Sequence, residues 1–144
     1  MNFFIDYYFN FLMKTIYTDG SCLKNPDGPG GWCAIIMDDI FELIISGSEK
    51  SSTNNRMELT AVIEALKYIE EGDECVLYSD SQLTINCASG KWNKKANLDL
   101  WKEYEIVKYK KKIKFEWVKA HNGDYYNEKV DKIAYQEAKQ IKLN

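Results

Sequence analysis

The feature that most constrains the fold is a change of hydrophobic period near residue 55. Before it, apolar residues come in short β-rich runs at 15–19 (TIYTD), 32–37 (WCAIIM) and 41–46 (FELIIS). Such runs, rich in β-branched and aromatic residues and bounded by turn residues, read as strands. The first ends at Gly20, and the loop SCLKNPDGPGG that follows is turn chemistry throughout. Asp38 and Asp39 separate the second run from the third, which read as an antiparallel pair. Three consecutive strands joined by turns predict a meander. Over 57–69 the spacing becomes helical, with Leu59, Val62, Ile63, Leu66 and Ile69 on one stripe. A short buried strand is predicted at 75–78, and helices at 81–88 and 98–107. Residues 113–118 alternate as a half-buried strand, and a last helix spans about 127–141. The order β-β-β-α-β-α-α-β-α predicts an α/β domain, a mixed sheet with helices on its faces.

A chain of 144 residues, 45% of them hydrophobic, is one domain's worth with material for a core. No linker or repeat divides it. The net charge of −3 weighs mildly against a nucleic-acid partner. A site rich in carboxylates, offset later by bound metal, would account for it. Basic charge is almost all lysine, Arg56 being the single arginine. Cys22, Cys33, Cys75 and Cys87 form no C-x-x-C pair, and one histidine is too few for a zinc site. They read as free cytosolic thiols, and a cytoplasmic protein is expected.

Residues 3–13 (FFIDYYFNFLM) are strongly apolar. They are too short for a bilayer, which needs ~20 apolar residues, and they lack the flanks of a signal peptide. Asn2, Asp6 and Asn10 would make a polar stripe on a helix with a broad aromatic face. Residues 1–13 are therefore set apart as an extension, 14–144 as the domain. The extension is expected to dock on the domain or on a partner, self-association included. Met13 serves equally well as an original start.

Among 22 acidic residues, four stand in informative settings. Asp19 ends the first strand, Glu58 opens a helix, Asp80 lies between a buried strand and a helix, and Asp131 lies early on the last helix. Strand ends and helix starts can meet at one edge of an α/β sheet. Carboxylates gathered there repel one another, and hard divalent cations relieve the repulsion through oxygen ligands. Two such ions ~4 Å apart suit the hydrolysis of a phosphodiester. Each residue also has a structural reading. Asp19-Gly20 fits a turn, Asn55 with Glu58 a capping box, Asp80 an N-cap, and Asp131 a solvated residue favourable to the helix dipole.

Four strings tilt the balance. Residues 17–31 (YTDGSCLKNPDGPGG), 53–58 (TNNRME), 78–82 (YSDSQ) and 117–134 (WVKAHNGDYYNEKVDKIA) resemble, in order, the motifs of the type 1 ribonuclease H family. The resemblance covers roughly residues 14–140. It implies a five-stranded mixed sheet, three antiparallel strands and then two parallel ones, flanked by helices. It implies an endonuclease cutting the RNA strand of RNA–DNA hybrids, leaving 3′-hydroxyl and 5′-phosphate ends. Asp19, Glu58, Asp80 and Asp131 would hold two Mg²⁺ ions, with Mn²⁺ able to substitute. His121 would assist proton transfer or product release, a role open to an imidazole near neutrality. Asn25, Asn54, Asn55 and Gln82 match positions that read the minor groove of the hybrid, where the 2′-hydroxyl marks RNA. An amide can both donate to and accept from a hydroxyl. Thr53 and Asn127 are candidates for holding a DNA-strand phosphate. Arg56 either assists them or forms a structural salt bridge.

The chain departs from the family in three places. Asp27 is added within NPDGPGG, which shifts a turn and leaves Asn25 in place. The basic, Trp-rich handle of many members is reduced to GKWNKKAN. There Trp92 either stacks on the DNA strand or belongs to the core. No hybrid-binding module precedes the domain, so weak, salt-sensitive binding and low processivity are expected. The strongest basic run, Lys108 to Lys114, precedes the strand that leads to His121. At ~3.3 Å per residue it starts ~20 Å from the catalytic end, and it reads as a solvated loop rather than the substrate groove.

Overall fold

The computed structural model of the chain describes residues 13–143. The strands are β1 (Met13–Cys22), β2 (Gly28–Met37), β3 (Glu42–Ser52), β4 (Glu74–Ser79) and β5 (Lys112–Trp117). The helices are α1 (Asn54–Leu66), α2 (Gln82–Ala88), α3 (Leu98–Lys108) and α4 (Tyr125–Leu143). The expectations for residues 1–12 lie outside the described residues, and Met13 opens β1. Among the described residues no helix is long and apolar enough to cross a membrane.

The five strands form one sheet in the order β3-β2-β1-β4-β5. The first three are antiparallel, and β4 and β5 continue parallel to β1. This is the mixed sheet expected from the element order and the resemblance. The loop after Gly20 is shorter than its composition suggests. β1 and β2 pair as far as Cys22 and Gly30, so the glycines of GPGG belong to a strand. Residues 23–27 alone make the turn, closed by Leu23 N donating to Pro29 O (2.8 Å) and Asp27 N to Ser52 O (2.8 Å). Glycine in a strand marks a place where another backbone comes close. A Cβ on Gly31 would overlap Ala134 O, and one on Gly20 would overlap Glu58 N.

Those two contacts seat a helix on each face. α1 lies on one face, and its apolar stripe (Leu59, Val62, Ile63, Leu66) joins Ile16, Ala34, Ile36 and Leu77 in the main core. α3 packs against α1 and closes this core with Trp101 and Tyr104. α4 crosses the other face over β1, β2 and β3, where Val130 and Ala134 meet Cys33 and Ile35.

α1 begins three residues earlier than its apolar stripe. Thr53, in extended conformation, is the N-cap, and its hydroxyl accepts from Arg56 N at 3.1 Å. The capping box expected between Asn55 and Glu58 does not form, because the cap lies two residues upstream. Glu58 falls on the buried face, free of any capping duty.

Candidate active site

Strand register brings two of the four acids together. β1 and β4 are parallel, with Tyr17 beside Tyr78. Asp19 and Asp80 each follow their tyrosine by two residues, so both lie just past the last β1–β4 pair. Asp80 follows the end of β4, whereas Asp19, expected to end the first strand, lies within β1, which runs on to Cys22 because it stays paired with β2. The tyrosines stack at 4.7 Å between ring centroids and floor the site on the α4 side. Glu58 comes in from the opposite face at the start of the second turn of α1, held close by Gly20. Oxygens of Asp19, Glu58 and Asp80 lie within 4.8 Å of one another. Asp131, in the second turn of α4, lies near enough to raise the carboxyls of Asp19, Glu58 and Asp80.

The electrostatics are those of a crowded anionic site. Asp19 is 3% exposed and Glu58 8%. Burial, then the neighbouring Glu58 and Asp80 carboxylates, push the Asp19 carboxyl far above its usual range. Burial also raises Glu58, partly offset by hydrogen bonds from Asp19 and the Gly20 backbone. Asp80 is raised by burial and by Asp131, against hydrogen bonds from Asn127 and Asp19 and the nearby His121. Glu58 Oε2 is buried without a partner among the described residues. An all-oxygen cluster with an unsatisfied buried oxygen suits a hard divalent cation.

The other predicted residues fall into three groups. Asn25 and Asn54 are joined, with Asn54 N donating to Asn25 Oδ1 at 3.1 Å and Cys22 N to Asn54 Oδ1 at 2.7 Å. Both side chains are exposed, and each amide oxygen accepts from a backbone N–H. Asn55 lies beside them on α1, lining a cavity of 260 Å³ with Leu83 and Lys95. Gln82, exposed, opens α2. His121 lies on the exposed loop after β5 at φ 55°, a left-handed conformation uncommon outside glycine.

The second group has structural partners. Thr53 caps α1. Arg56 makes a bidentate ion pair with Asp99 (3.0 and 2.9 Å) and reaches Asn97 Oδ1 at 3.2 Å. Of its two readings, the salt bridge is the one formed. Trp92 forms the third group alone. It is 48% exposed, on the remnant of the handle, and does not belong to the core.

Asn127 is 2% exposed and lies beside the Asp80 carboxylate. Asp124 caps α4, which starts earlier than expected, by accepting from Asn127 N at 2.9 Å. Sequence reasoning passed over Asp124, whose position three residues before Asn127 was the available signal. It also passed over Trp117, whose indole Nε1 donates to Asp80 O at 3.1 Å and steadies that acid from β5.

A sheet of this order, with acids converging from β1, β4 and both faces, defines a protein of the ribonuclease H-like fold. The chain belongs to the ribonuclease H family, whose model, RNase H, matches residues 13–139. Ribonuclease HI of Campylobacter jejuni is 48% identical over 134 residues, covering 88% of this chain and 91% of that one. The N-terminal RNase H domain of a Mycobacterium tuberculosis protein superposes with a TM-score of 0.80 at 24% identity, covering 91% of this chain and 96% of that one. LC11-RNase H1, solved in complex with an RNA/DNA hybrid, gives 0.75 at 21%, covering 91% and 99%.

Proposed function

We propose that the chain is a cytoplasmic endonuclease that hydrolyses the RNA strand of RNA–DNA hybrids with two Mg²⁺ ions held by Asp19, Glu58, Asp80 and Asp131. The observation that carries this reading is the cluster, three carboxylates within 4.8 Å with an unpartnered buried oxygen, in a chain of this family. The ions supply positive charge at the attacking and leaving oxygens of the phosphodiester. Mn²⁺ accepts the same oxygen donors and substitutes.

The chain's own residues do the rest. Asn127 and Trp117 orient Asp80, one through its carboxylate and the other through its backbone carbonyl. His121, exposed beside Asp80, moves a proton at the product phosphate. Asn25 and Asn54 donate amide hydrogens to the hybrid's minor groove, and a 2′-hydroxyl oxygen accepts. Asn55 and Gln82 flank them, and Trp92 offers its ring to the DNA strand. The ends released are a 3′-hydroxyl and a 5′-phosphate.

Labelled hybrid, duplex RNA and duplex DNA, each incubated with Mg²⁺ or EDTA, test this. The expected outcome is cleavage of hybrid RNA alone, abolished by EDTA. Asp80→Asn should lower the rate on the order of 10³-fold, the equivalent of the several kcal/mol a metal supplies to the transition state. Hybrid bound tightly and left intact would overturn the proposal.

A further inference from the structure

Of the four acids, Asp131 is the one outside the group whose oxygens lie within 4.8 Å of one another. It is also the one least tied to the sheet. Asp19 lies within β1, Asp80 follows β4 directly, and the backbone of Glu58 rests on Gly20. Asp131 rides on α4, so its reach toward the other three depends on how that helix is seated.

The seat has two sides. Toward β3, Ser46 Oγ donates to Glu137 at 3.2 Å, and Lys129 pairs with Glu42 at 3.2 Å. Both contacts are exposed, and exposed polar pairs contribute little. Toward β1, Tyr126 in the first turn of α4 sets its ring against Tyr17, with centroids 5.4 Å apart and planes tilted by 31°. Tyr17 is stacked in turn on Tyr78, at 4.7 Å and 15°. From the outer side Tyr125 meets Tyr126 edge-on at 5.0 Å, and Lys129 lies over the Tyr125 ring at 5.8 Å. A run of rings therefore crosses from β4 over β1 to the start of α4. Tyr17 and Tyr78 each precede a clustered acid, Asp19 and Asp80, by two residues. One ring contact thus registers the helix of the fourth acid against both strands at once. Tyr126 and Asp131 are five residues apart, about 140° around the helix, so the ring acts on the acid through the helix rather than by touching it.

We infer that Tyr126 is a positioning residue for the metal site: its ring, wedged against the Tyr17–Tyr78 stack, sets the height and tilt of the first turns of α4 and so the reach of Asp131. The inference rests on the reading of the four acids as metal ligands. Mg²⁺ demands near-ideal octahedral geometry, and a site of this kind needs its groups held within about 0.5 Å. An aliphatic side chain in place of the ring removes the wedge and frees the helix end to shift by more than that.

The test is Mn²⁺ binding to the full chain without nucleic acid, followed by loss of the free-ion electron paramagnetic resonance signal. Tyr126→Leu should weaken binding roughly tenfold. Tyr126→Phe, which keeps the ring and loses the hydroxyl alone, should stay within about twofold of the wild type. In an Asp131→Asn background, Tyr126→Leu should add less than about twofold, because the acid through which it acts is gone. Tyr135→Leu, at an exposed position on the same helix, should change nothing. Urea unfolding establishes that each variant is native under the binding conditions, and Tyr126→Met takes the place of Tyr126→Leu, with the same expectation, if the latter does not fold. Unchanged binding in Tyr126→Leu, a Phe variant as weak as the Leu variant, or an equal loss with and without Asp131 would overturn the inference. In each of those cases Mn²⁺ uptake and hybrid cleavage by the wild type leave the functional reading standing. A wild type that takes up no Mn²⁺ overturns the metal reading and this inference with it.

Discussion

Glu58 and Val62 sit one turn apart on the same face of α1, and both are buried. Val62 shares the main core with Ile16, Ile63, Leu66 and Leu77, and each such side chain contributes roughly 1.5–3 kcal/mol by leaving water. Around Glu58 the neighbours are Asp19, Asp80 and Asp131; burial and then the Asp80 and Asp131 charges make its own charge harder to hold, and a hydrogen bond with Asp19 offsets only part of that. Equal burial therefore has opposite effects within 6 Å of helix rise. The core end of α1 supplies the rigidity that keeps the acid end assembled, and local rules of folding are broken where the chemistry is.

Three substitutions probe this contrast. Leu66→Ala, at the core end, should destabilise the protein by about 2–5 kcal/mol in urea unfolding, with the metal dependence of cleavage unchanged. Asp19→Asn should do the reverse, stabilising the metal-free protein by about 1–3 kcal/mol at pH 8 while ending activity. The sign follows from the raised carboxyls. Between the ordinary carboxylate range and the raised folded values, the native state holds more protons than the unfolded one, so metal-free stability falls as pH rises. Thermal melts in EDTA from pH 5 to pH 8 should show that fall in the wild type and less of it in Asp19→Asn. Added Mg²⁺ should reverse it by binding the native state. The smallest effect belongs to the boundary between the two ends. Thr53→Ala removes the cap of α1 and should cost about 1 kcal/mol in the same unfolding assay. A much larger activity loss than that would show Thr53 to contact substrate as well.

The order of strands and helices was legible because each element carries a clean period. The acids were harder, since Glu58, Asp80 and Asp131 each had a reasonable role at a helix start. The structure gives those roles to neighbours. Thr53 caps α1, Ser81 caps α2 through Thr84 N at 3.2 Å, and Asp124 caps α4. Every helix that brings an acid to the site is capped by a residue other than that acid. What stayed hidden depends on distance along the chain. The glycines of GPGG carry a local turn signal, but the use of Gly30 and Gly31 is set by helices more than 20 residues away. Asp99 is 43 residues from Arg56, and no local pattern pairs them.

Gly20 and Gly31 act as gauge stops. At each, a helix main chain rests directly on a strand main chain, with no side chain between them to compress or change rotamer. One stop lies under the turn that carries Glu58, the other under Ala134, three residues beyond Asp131. The nearest approach of acids arriving from opposite faces of the sheet is therefore set to backbone tolerance, and any side chain added at either glycine would push a helix, with its acid, outward.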